Sequence, residues 1–136
     1  MENIQKVTVC LHNGRFRLPN MAKVEDLNPK ALVLCATAQC AGYTIMGLLQ
    51  KQKITPKSLE ITIKGTLNTE KLLVESRFRS FEIIYRVECK SLDDQQHVSQ
   101  AIYDAQESKC GLIDLLKCAA PISYDISIVS TETAKV

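Results

Sequence analysis

Apolar and polar positions change their period several times along the chain, and each change marks an element. Residues 58–65, "SLEITIKG", set Leu59, Ile61 and Ile63 against Glu60, Thr62 and Lys64, the period of two expected of a strand with one wet face. "SFEIIYRVEC", 80–89, repeats it, with Phe81, Ile83, Tyr85, Val87 and Cys89 opposite Glu82, Ile84, Arg86 and Glu88. Near the C-terminus "ISYDISIV" alternates Ile122, Tyr124, Ile126 and Ile128 as a last strand. At the other end, 7–11 "VTVCL" and 15–18 "RFRL" flank "HNG", whose Asn-Gly pair predicts a β-hairpin.

Between these strands the period lengthens. "PNMAKVEDLNP" reads as a connection that ends with Asn28 placed to cap a helix and Pro29 in its first turn, where a missing N–H costs nothing. The helix so opened is expected to run from Pro29 to about Lys51, closing in the basic "QKQK". Asp93 or Asp94 can cap a second helix reaching about Lys109, with Val98, Ala101, Ile102 and Ala105 as its apolar stripe, and "GLIDLLKC" predicts a further short one. "NTEKLLVESRF", 68–78, fits either a third strand or a polar loop, and the tail 130–136 is expected to fray. Neighbouring strands with segregated helices argue for an α+β domain, one over residues 1–136, in which 1–27 are the hairpin and its connection.

Composition narrows the function classes. A net charge of +2, scattered lysines and arginines and only seven aromatic residues (three Phe, four Tyr) argue against a nucleic-acid partner. "MENIQKVTVC" lacks a basic stretch followed by an apolar core, so no secretory signal is read there and a cytoplasmic protein is expected. Six cysteines are present, but Cys35-x4-Cys40 and Cys110-x7-Cys118 match no zinc spacing, and His12 and His97 each stand alone. A metal site is therefore not expected, and reduced thiols are the default.

One segment demands its own explanation: from Ala31 to Leu49 no charged residue or histidine occurs. The run is long enough to span a bilayer, yet Thr37, Gln39, Tyr43, Thr44, Gly42 and Gly47 interrupt it and no second span follows, so no membrane role is expected. A helix apolar nearly all round must be covered nearly all round, and the strands of one small domain cover one side. Small residues at Ala31, Ala36, Ala38, Ala41 and Gly42 would let a second helix approach closely, which predicts a homodimer through this helix. Cys35 and Cys40 on it point about 140° apart and cannot bond to one another. A disulfide partner for Cys40 would have to come from elsewhere in the fold.

At this point two motifs resemble the OsmC/Ohr family of thiol peroxidases. "NPKALVLCATAQC" is similar to that family's Asn-Pro-Glu-x-Leu motif, which opens an Ala-rich helix bearing the reactive cysteine ten residues after the Glu. "YDAQESKCGLIDLL" followed by "APISYDI" resembles its second motif, a helix ending in Cys-Pro before a short helix and a final strand. The resemblance spans about Asn28 to Ile128. It implies an OsmC-like α+β fold, with antiparallel sheets and long central helices in an intertwined homodimer. It also implies hydroperoxide reduction without a metal or bound organic cofactor, with Cys40 as the attacking cysteine, Cys110 as the resolving one, and an external dithiol, a lipoylated protein in the Ohr branch, as reductant.

Such chemistry needs the thiolate, and a free thiol titrates near 8.5. The family supplies an N-terminal arginine held by the motif Glu. Here Lys30 stands at the Glu position and Gly111 at the Pro position, while Arg15 and Arg17 lie on the hairpin where the arginine would come from. Lys30, Arg15 and Arg17 are thus the candidate thiolate-stabilising cations, although each taken alone reads as solvent-facing, and Lys30 lies about 15 Å along a straight helix from Cys40. Cys10, Cys35, Cys89 and Cys118 are expected in the core. The missing Glu also keeps open a non-catalytic protein of the same fold that binds a small ligand or senses redox state.

Overall fold

The computed structural model describes residues 3–130, which form one five-stranded sheet with three helices on one of its faces. The strands are β1 (Asn3–His12), β2 (Arg15–Arg17), β3 (Ser58–Leu67), β4 (Phe78–Cys89) and β5 (Ile122–Ser130), in spatial order β2-β1-β3-β4-β5. The helices are α1 (Pro29–Lys51), α2 (Leu92–Asp104) and α3 (Gly111–Lys117). Two single turns of 3-10 helix, Pro19–Met21 and Val24–Asp26, carry the chain from β2 to α1.

The alternating residues do what their period demands. Val7, Ile63, Ile83 and Tyr124 form one row across four strands, and Val9, Ile61, Tyr85 and Ile126 the next, all facing the helices. The hairpin closes at Asn13 and Gly14, both with positive φ (50° and 79°), the backbone that an Asn-Gly turn supplies. The 68–77 segment is a loop, stitched by the Asn68 side chain accepting from the Arg77 N–H at 2.9 Å.

The expectation of antiparallel sheets is corrected at one edge of what is a single sheet: β2, β1, β3 and β4 pair antiparallel, but β4 and β5 run parallel, with Phe81 paired to Ile122 and Cys89 to Ser130. The reason is the connection, since α2 and α3 carry the chain back along the sheet and let β5 start where β4 started. α2 is also capped earlier than expected, by Ser91 in place of Asp93 or Asp94. The Ser91 hydroxyl accepts from the Asp94 N–H, while Asp93 and Asp94 lie in the first turn, where carboxylates favour the helix dipole. Of the tail expected to fray, Ser130 ends β5 and 131–136 lie outside the described residues.

α1 begins as its sequence dictates, with Asn28 Oδ1 accepting from the Ala31 N–H at 3.0 Å and Pro29 at the first position. Leu34, Ile45 and Leu49 are fully buried against the sheet, each burial worth about 1.5–3 kcal/mol. The helix is long and apolar enough to cross a membrane, with 44% of its most apolar window buried within the fold. Leu32, Val33 and Tyr43 lie on the face left exposed. Cys35 and Cys89 sit in the core as expected, but two other cysteines do not. Cys10 has the strand phase of Glu60, faces away from the helices and is half-buried, and Cys118 follows the last turn of α3 and is exposed.

Candidate active site

Two segments seventy residues apart in sequence meet at one pair of sulfurs. Cys40 lies midway along α1, on the border between its buried and exposed faces. Cys110 lies at the start of α3 and is fully buried. The Cys110 thiol donates to Cys40 Sγ at 3.3 Å, so bonding would need an approach of about 1.2 Å more to reach the ~2.05 Å of a disulfide. Cys35 takes no part, being held in the core one and a half turns earlier on α1.

The two thiols differ in environment. Burial pushes Cys110 up to about 11, and the neighbouring Cys40 adds to the rise, although the Ile113 and Leu112 N–H groups at the start of α3 pull the other way. Cys110 is therefore a protonated donor at neutral pH. Cys40 is the partly exposed member, the more accessible of the two.

Behind Cys110 the chain departs from a regular helix. After Asp104 residues Ala105–Lys109 form a π-helical turn, closed by the Cys110 N–H to the Ala105 carbonyl at 3.1 Å. Gln106 in this turn is 2% exposed, and its Oε1 accepts from the Tyr85 hydroxyl at 2.8 Å. Burial raises the Tyr85 phenol, and Cys110 and Tyr124 add to the rise once they ionise. Lys117 Nζ donates to the Gln106 carbonyl, tying α3 back to the same turn. Neither Tyr85 nor Gln106 stood out in the sequence. The signal available was phase: Gln106 follows Val98 and Ile102 at helical spacing, so a polar residue occupies a core position.

The candidate cations are placed elsewhere. Lys30 Nζ donates to the Leu73 carbonyl at 2.8 Å and the Val74 carbonyl at 3.2 Å, fastening the 68–77 loop to the start of α1. Arg15 and Arg17 are exposed on either side of buried Phe16. β2 itself is fixed over α1 by the residues flanking Cys40. Gln39 Nε2 donates to the Phe16 carbonyl at 3.0 Å, and Tyr43 Oη accepts from the Phe16 N–H at 3.2 Å. Gly42 makes this approach possible, because a Cβ there would stand 2.5 Å from the Phe16 ring. Arg15 and Arg17 border an open cavity of about 830 Å³ whose wall includes Gln39 and Tyr43 but not Cys40. Among the described residues none of the three cations bonds to Cys40, and no three His, Cys, Asp or Glu side chains gather as metal ligands.

Residues 22–125 match the family model described as OsmC-like protein. The chain belongs to the OsmC-like family. Solved structures agree on the fold. An OsmC-like protein from Mycoplasma pneumoniae superposes with a TM-score of 0.63 at 15% identity, over 95% of this chain and 97% of that one. An OsmC-like hydroperoxide resistance protein from Jannaschia sp. CCS1 gives 0.62 at 16%, over 85% and 87%. An organic hydroperoxide resistance protein from Legionella pneumophila gives 0.53 at 16%, over 93% and 96%. None of the curated proteins matches the chain. At these identities the likeness establishes the OsmC-like architecture, and the chemistry has to be argued from this chain's own thiols.

Proposed function

We propose that this OsmC-like protein is a thiol-dependent hydroperoxide reductase working through Cys40 and Cys110. The observation that carries the reading is the 3.3 Å contact between two thiols from distant segments, one partly exposed and one buried. The Cys40 thiolate attacks the terminal peroxide oxygen, an S–O bond forms as the O–O bond breaks, and the leaving oxygen departs as alcohol, or as water from hydrogen peroxide, with the proton the Cys40 thiol gave up. The sulfenic acid so formed on Cys40 is then attacked by Cys110; an S–S bond forms, the S–O bond breaks, and the hydroxide leaves as water with the Cys110 proton. Two thiols have given two electrons to one peroxide. An external dithiol, such as a dihydrolipoyl group, reopens the disulfide, which requires a compartment that keeps thiols reduced, as the cytoplasm does. The likeness to the Jannaschia and Legionella proteins, both described as hydroperoxide resistance proteins, supports this direction.

The exposed stripe of α1, Leu32, Val33 and Tyr43 beside Cys40, supports a homodimer closed through this face. Light scattering at micromolar concentration should return twice the chain mass, and a monomer would remove that part of the proposal.

The decisive assay follows cumene hydroperoxide and hydrogen peroxide consumption by wild type, Cys40→Ser and Cys110→Ser, with dithiothreitol and then dihydrolipoamide as reductant. Wild type should turn over, Cys40→Ser should fall to background, and Cys110→Ser should complete a first reduction but lose the dihydrolipoamide-driven cycle. Equal inertness of all three, with Cys40 still open to alkylation, would defeat the reading. That outcome favours the non-catalytic alternative, a small-ligand-binding or redox-sensing protein. The engagement of Lys30 by loop carbonyls, which leaves Cys40 without that cation, is the observation on its side.

A further inference from the structure

The geometry points to Gln106 and Tyr85 as positioning residues that hold Cys110 for its attack on Cys40, through the π-helical turn in which Gln106 sits. The inference rests on the peroxidase reading for its biological use, but it concerns the closure of the Cys40–Cys110 bond by any oxidant.

Three features combine. First, the turn is placed where the chain must change course. α2 runs as a regular helix to Asp104, widens over Ala105–Lys109, and releases Cys110 into an extended backbone (φ −96°, ψ 111°) that aims its thiol at α1. Secondly, the turn is fixed by polar contacts within an apolar core. Gln106 is buried to 2% and reached by the Tyr85 hydroxyl at 2.8 Å, from the middle of the helix-facing row of β4, while Ala105 and Ile102 on either side are fully buried hydrophobes. A leucine at 106 would satisfy the same space with no hydrogen bond to make, so packing alone does not explain the pair. Thirdly, the Lys117 ammonium grips the Gln106 and Glu107 carbonyls from α3, so the two segments flanking Cys110 are tied to one another across it.

The sulfurs stand at 3.3 Å, and α1, held from both ends of its buried stripe, is the poorer candidate to move. The remaining approach falls to Cys110 and its turn. If the Tyr85–Gln106 contact sets where that turn rests, removing it leaves Cys40 chemistry intact and slows closure. The unresolved sulfenic acid then meets a second peroxide and goes on to sulfinic acid.

The test uses Gln106→Leu and Tyr85→Phe, which remove opposite ends of the contact, in the full reduced protein. Peroxide is added at one equivalent and then in increasing excess, and mass spectrometry of quenched samples follows loss of the Cys40 thiol, appearance of the Cys40–Cys110 disulfide and appearance of Cys40 sulfinic acid. The expected result in both variants is a Cys40 oxidation rate within twofold of wild type, disulfide closure at least tenfold slower, and a sulfinic share that rises with peroxide concentration. In parallel, closure is driven by diamide, which needs no peroxide and oxidises a dithiol directly. It should slow by a similar factor even if the protein proves not to be a peroxidase. Closure within twofold of wild type under both oxidants, whatever happens to the melting temperature, would overturn the inference. Should one variant fail to fold, the other decides.

Discussion

The two thiols that meet in this fold are delivered by segments built in opposite ways. Cys40 rides on 23 residues of regular helix, capped by Asn28 and seated on the sheet through Leu34, Ala38, Ala41, Ile45 and Leu49. Cys110 follows a five-residue widened turn whose shape depends on a buried hydrogen bond and a lysine on two carbonyls. The first arrangement gives a thiol a fixed place at the edge of solvent. The second brings a buried thiol to it from outside any regular helix, its place set by a few side-chain contacts. If the pair forms a disulfide as proposed, the difference assigns the parts: the partner on the regular helix stays in place and the one behind the turn closes the gap.

The comparison is broken most severely by attacking the seat of α1. Ile45→Ala, at a position with no solvent exposure, should lower the free energy of unfolding by about 3 kcal/mol, measured by urea titration. Tyr85→Phe, which leaves the buried Gln106 oxygen without its donor, should cost less, about 1–3 kcal/mol. If Tyr85→Phe proves the more damaging, the turn is the structural centre of the domain and α1 is not the fixed partner.

How much of this was legible in the sequence follows the same division. α1 was readable to its boundaries, because Asn-Pro, an apolar run and a basic end are local signals that tertiary contacts here reinforce. The strand phases were readable too, since Leu59, Ile61 and Ile63 declare their side without reference to any other strand. The parallel return of β5 was not, because direction depends on how two helices cross the sheet and no residue in "ISYDISIV" encodes it. The family resemblance brought Cys110 to notice, but spacing alone could not place its sulfur at 3.3 Å from Cys40. Nor could it show Lys30 turned toward a loop whose path is set by Asn68, Ser76 and Arg77.

A smaller effect, read against pH, separates the buried thiol from the partly exposed one. The folded protein raises Cys110 to about 11, above the value near 8.5 of an unfolded thiol, so the folded state binds that proton more tightly. Its contribution is complete below about pH 8.5 and is lost as pH climbs toward 11. Reduced wild type should therefore lose stability faster than Cys110→Ala across that window, by on the order of 1 kcal/mol per pH unit. Parallel stability curves for the two proteins would mean that Cys110 is hydrated in solution and not sealed behind Cys40.

The smallest effect concerns Lys30, and it sharpens the comparison at the other end of α1. Its ammonium lies at the surface and donates to the Leu73 and Val74 carbonyls, a contact of the kind worth about 1 kcal/mol or less when exposed. Lys30→Met keeps the aliphatic stem and removes the donors. A loop tie predicts faster amide exchange or proteolysis within 68–77 and an unchanged rate of Cys40 alkylation at neutral pH. A cation serving the thiolate predicts the reverse, a slower alkylation with the loop undisturbed. Since the lysine occupies the position where the family motif has a glutamate, the second outcome would mean that charge reaches Cys40 by a route through that position after all. The first would mean that the position has been turned over to holding the chain, and that reactivity at Cys40 is set by its own place on α1 and by the buried donor behind it.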